Sequence, residues 1–167
     1  MLLLRSLLAP FLLLSSVVLS FFSAMGAAWL VFENIFGMSG LDFSVFLYSF
    51  LFLVALGVDY NIFLVSRARE ESALMSGKVD QPTRMGMIKA LGATGGVITS
   101  AGILLAAVFA VLGVLPLLAL FQIGVIVGIG VLIDTLLVRT VVVPATAFIA
   151  DDKFWWPRKK LTAGKFA

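Results

Sequence analysis

No residue is charged between Arg5 and Glu33, and none between Lys89 and Asp134. These two runs constrain the fold more than any other feature. A helix rising about 1.5 Å per residue needs roughly 20 residues to cross about 30 Å of hydrocarbon. The first run suffices for one crossing. The second is about twice a bilayer's thickness and must fold back, with Gly113 and Pro116 the best place for a turn. Between them lies a third apolar run, Phe43 to Ser66, interrupted only by Asp59.

Composition agrees. Apolar residues make up 62% of the chain and charged residues 13%, and mean hydropathy is +1.16. A water-soluble domain has about 25% charged residues. The chain contains no Cys and no His, so disulfides, thiol nucleophiles, His-ligated metals and Ser–His triads are excluded. No cofactor, metal or enzymatic activity is expected. The net charge of +3 is explained by the membrane and does not indicate nucleic acid as a partner.

The sequence therefore predicts an all-α integral membrane protein of four antiparallel transmembrane helices. The spans run over about 7–31, 43–66, 93–115 and 117–144, within a membrane domain of 1–150 followed by a basic tail of 151–167. The first run is too long for a signal-peptide core and has no clear cleavage site. Met1 to Leu4 is too short to span and resembles the cut end of a preceding helix.

Positive charge sets the orientation. Arg5, Arg67, Arg69, Lys78, Arg84, Lys89, Lys153, Arg158, Lys159, Lys160 and Lys165 fall on one side, with Arg139 near that end of the last span. The opposite turns hold Glu33 and Asp42. Both termini are expected in the cytoplasm, with Trp155 and Trp156 as interfacial anchors and Trp29 near the outer interface. Arg67 to Glu71 should prolong the second span, and Gly77 to Pro82 should break it. Thr83 would then cap a short interfacial helix from Arg84 to Leu91.

Two acids lie at membrane depth. A carboxylate near the centre of a span costs about 2.5–3.5 kcal/mol on insertion scales. Asp59 is therefore expected to face a bundle interior or a hydrated path, where it can take up and release a proton. The alternative is a structural Asp hydrogen-bonded to neighbouring helices. Tyr60 and Asn61 add a hydroxyl and an amide beside it. Helical rise can bring Asp134, Thr99 and Ser100 into the same polar layer. Arg139 lies five positions after Asp134, a spacing that does not share an α-helical face well. It can snorkel to the interface or form a structural ion pair with Asp134. Small residues mark packing faces: Ser16, Ser20 and Ser23; Gly92, Gly96 and Ser100; Gly124 and Gly128.

The string Gly57-Val-Asp-Tyr-Asn-Ile-Phe-Leu64, followed by Ser66-Arg-Ala-Arg-Glu-Glu71, closely resembles the signature helix of the MMPL (mycobacterial membrane protein large) branch of the resistance–nodulation–division transporters. Thr94 to Gly102, Ile133 to Thr140 with Pro144, Trp155 to Arg158 and Leu4 to Pro10 resemble further family strings in order. The resemblance implies the ninth through twelfth helices of a twelve-helix, proton-driven exporter of lipids or other hydrophobic compounds in the bacterial inner (plasma) membrane. It implies a proton relay at Asp59 and Tyr60, with Thr99 and Ser100 as candidate support, to which the polar layer read from the residues adds Asn61 and Asp134. The expected partners are the lipid bilayer, a hydrophobic or lipid substrate, and the missing N-terminal half or another copy of the chain. Competing readings are a non-transporting helical remnant or assembly module, or a small oligomeric proton channel.

Overall fold

The computed structural model describes residues 8–38, 40–150 and 154–155. Helix α1 is Leu8–Phe36, α2 Phe43–Met75, α3 Pro82–Leu112 and α4 Leu118–Ile133. A π-helical segment, Asp134–Val142, continues α4 and leads into α5, Val143–Ala150. Since α4, the π segment and α5 form one rod, the described residues contain four helices long and apolar enough to cross a membrane, and no strand.

Local signals explain the ends. Gly37, at φ +63°, follows α1, and Gly77, at φ +79°, follows α2; a side chain in this left-handed region would be strained. Asp42 caps α2 by accepting a 2.7 Å hydrogen bond from the Ser44 amide. That bond holds the Asp42 carboxyl below its ordinary range. Pro82 opens α3, where its missing N–H costs nothing.

Three boundaries differ from expectation. No separate interfacial helix runs from Arg84 to Leu91, because α3 continues unbroken from Pro82 to Leu112. Its amphipathic start is the continuation, on the basic side, of a span that the charge boundary alone made too short. Thr83 does not cap it: Gln81 holds the cap position, while the buried Thr83 hydroxyl accepts a 3.2 Å hydrogen bond from Trp155 Nε1. The last rod reaches Ala150 rather than ending at Pro144.

Trp155 is not an interfacial anchor. It is buried with Phe154, and the two rings meet edge to face at 5.1 Å. Both belong to a core with Leu13, Leu64, Met87, Val138 and Ala147. This part of the expected tail thus packs into the bundle. Trp156, Pro157 and the tail's basic residues lie outside the described residues, as do Arg5 and the Leu4-to-Leu7 part of the first string. Trp29 remains partly exposed, and its Nε1 donates to Glu33 Oε2 at 3.1 Å.

The fourth rod is central and touches α1, α2 and α3. Of its most apolar stretch 61% is buried, against 22% for α2 and for α3. Glycines allow the approach. A Cβ on Gly124 would stand 2.6 Å from the Phe109 carbonyl, and one on Gly86 would stand 2.6 Å from the Ser72 amide. Such spacing leaves room only for Gly. A second core, built on Phe21, Phe32, Phe109, Ile126 and Val127, fills the other end of the bundle.

Candidate functional site

Several of the buried polar residues lie on α2 and on the π segment. Asn61, Asp134, Thr135 and Arg139 are all buried. A charge at this depth needs a partner or a shaped environment.

The π segment decides how the charges meet. In an α-helix, residues five apart diverge; a π turn closes hydrogen bonds between residues five apart and brings them onto one side. Asp134 and Arg139 span that interval inside the π segment. Arg139 Nη2 lies 4.0 Å from Asp134 Oδ2. The expectation that the two share a face poorly is therefore corrected, for a reason α-helical periodicity does not contain. Arg139 also does not snorkel. It is 2% exposed, and its guanidinium sits 4.8 Å from the centroid of the Tyr60 ring, within cation–π range. Thr135 packs against Gly102 of α3 so closely that a Cβ there would collide with its hydroxyl. This contact fixes the segment against its neighbour.

Asp59 has a different setting. It is exposed within this chain and, among the described residues, has no hydrogen-bond or ion-pair partner. The four described helices do not enclose it, so of the two expected settings, a bundle interior or a hydrated path, this chain by itself does not supply the first. Tyr60, one position on and about 100° around the helix, is half-buried. Asn61 is fully buried, and neither polar atom of its side chain has a partner among the described residues.

The remaining candidates separate. Ser100 is exposed and donates its hydroxyl to the Val97 carbonyl of its own helix at 2.9 Å. Thr99 is half-buried. Gly92 and Gly96, on the same helix, are exposed, and a Cβ on either would meet nothing within 4 Å. Their small-residue stripe is unused inside this chain. The structure thus gathers Tyr60, Asp134 and Arg139, and leaves Asp59 and Ser100 on open faces of α2 and α3. The contact missing from sequence reasoning is that of Arg139 with Tyr60. Its only trace was an acid and a base five apart in an otherwise apolar helix.

Four long apolar rods packed around buried charge define a multi-pass α-helical membrane protein. A family model described as "MMPL family" matches residues 1–166, and the chain belongs to that family. It is 58% identical over 153 residues to the membrane protein SCO0839 of Streptomyces coelicolor, covering 92% of this chain and 21% of that protein. It is 46% identical over 156 residues to the apo-petrobactin exporter of Bacillus anthracis, covering 93% and 20%. It is 43% identical over 157 residues to the acyltrehalose exporter MmpL10 of Mycobacterium tuberculosis, covering 94% and 15%. The chain thus spans about a fifth or less of the length of these relatives.

Proposed function

We propose that this chain is the C-terminal membrane portion of an exporter of lipids or other hydrophobic compounds, driven by the proton-motive force. Asp59 carries the proton and Tyr60 orients it. The observation that carries this reading is the contrast between the two intramembrane acids. Asp134 is buried close to a cation, whereas Asp59, in the apolar body of α2, has no partner among the described residues and lies on a face they leave open. An acid that must load and release protons needs such freedom, and one held against a permanent charge lacks it. Relatives named as exporters of petrobactin and acyltrehalose support a transport role.

In this reading both termini lie in the cytoplasm, the membrane is the bacterial inner membrane, and the rest of the transporter covers the open face of α2 and α3. Substrate enters through regions outside this chain. Each proton moving down the field supplies about 2.3 kcal/mol per 100 mV. The test is Asp59→Asn in a transporter carrying this segment. Export should be abolished while the amount of protein in the membrane is unchanged; retained export would overturn the relay.

A further inference from the structure

The guanidinium of Arg139 is oriented by a ring rather than by its acid. Were the Asp134 pair there for stability alone, the planar fork of the arginine would be expected to engage the carboxylate through short, bidentate hydrogen bonds. Instead the nearest approach is 4.0 Å, and Asp134 Oδ1 and the Arg139 Nε, Nη1 and Nη2 atoms have no hydrogen-bond partner among the described residues. The cation lies over the face of Tyr60, 4.8 Å from its centroid. A desolvated contact of this kind is among the stronger cation–π interactions.

We propose that Arg139 is the positioning residue for Tyr60, and through it for the proton step at Asp59, with the π segment supplying the geometry. The inference rests on the relay reading above and names the group that orients it. Three features combine. The π turn carries Arg139 inward with Asp134 alongside as counter-charge. Thr135, inside the same turn, abuts Gly102, so the turn cannot slide along α3. The contact with Tyr60 then fixes the rotation of α2 about its axis, and this sets the heading of Asp59 one residue earlier. Arg139 touches neither substrate nor the reacting acid in this scheme; it acts through the ring.

The test pairs transport with a direct readout of the ring. The chain has only two tyrosines, so in the 167-residue protein labelled with ¹³C-tyrosine and held in lipid nanodiscs, Tyr48→Phe assigns the Tyr60 resonance. The double variant Asp134→Asn/Arg139→Gln removes both charges without leaving one buried alone. It should move the Tyr60 resonance. In a transporter carrying this segment it should lower the maximal export rate about tenfold to a hundredfold, the scale expected of a misplaced reacting group, with half-saturation by substrate unchanged. Arg139→Lys, which keeps a cation for the ring, should retain more of the rate than the double variant. An unmoved Tyr60 resonance, whatever the rate, would overturn the proposal, as would equal rates for the two variants. If Asp59→Asn exported normally while the resonance still moved, the relay would fall and the ring contact would stand.

Discussion

From Leu118 to Ile133 the fourth rod is apolar and rich in glycine, and Gly124 and Gly130 let Phe109 and Leu53 close against it. From Asp134 to Val142 the same rod carries an acid, two threonines and an arginine, and all but Thr140 of these polar residues are buried. The first region is held by shape. The second is held by charge and ring contacts that depend on a change of helical pitch. Close packing of small residues tolerates no added volume, whereas the polar region tolerates removal of its charges together but not singly.

The difference can be broken most severely at Arg139. Arg139→Met alone leaves Asp134 buried near no cation and should cost about 3–5 kcal/mol. Asp134→Asn/Arg139→Met leaves no charge buried alone and should cost less, about 2 kcal/mol for the lost contact with Tyr60. Unfolding midpoints in detergent measure both, and equal losses for single and double variants would show that the pair does not act as a unit. In the shape-held region, Gly124→Ala sets a methyl against the Phe109 carbonyl and should cost about 1–3 kcal/mol. Gly26→Ala, where nothing lies within 4 Å, is the uncrowded control and carries only the helix-propensity gain of Ala over Gly, about 0.5–1 kcal/mol.

The smallest effect is expected outside both regions, at the cap of α2. The carboxyl of Asp42 is held below its ordinary value of 3.8 by the Ser44 bond. Its contribution is therefore complete above that value and is lost as pH falls through the lower, folded one. The first turn of α2 should fray on acidification, read from the Ser44 amide by NMR, and Asp42→Ala should abolish the pH dependence.

Much of this architecture was legible in the chain. Uncharged runs gave the number of crossings, Gly113 with Pro116 gave the turn, and Gly77 to Pro82 gave the break. The start of α3 was not legible, because charged residues such as Arg84 and Lys89 end an apolar run without ending a helix, and α3 contains both. Trp155 was misplaced for a similar reason. A tryptophan beside basic residues has the composition of an anchor, and only the tertiary fold shows Thr83 and Phe154 waiting for it.

At the candidate site, the identity of the acids followed from their cost in hydrocarbon, yet which of them is enclosed did not. Periodicity of 3.6 residues cannot foresee a π turn, so the meeting of Asp134, Arg139 and Tyr60 lay beyond it. Asp59 lies on a face of α2 that the described residues leave open, and hydropathy does not distinguish such a face from one that faces lipid.

The most direct measurement is modification by a hydrophobic carbodiimide, which reacts with protonated carboxyl groups in apolar surroundings, applied to the chain in lipid bilayers and mapped by mass spectrometry. Asp59 should be labelled, Asp134 should be spared, and Asp59→Asn should remove the signal. Labelling at Asp134 with Asp59 untouched would contradict the account, because the exchanging acid would then be the one enclosed beside arginine.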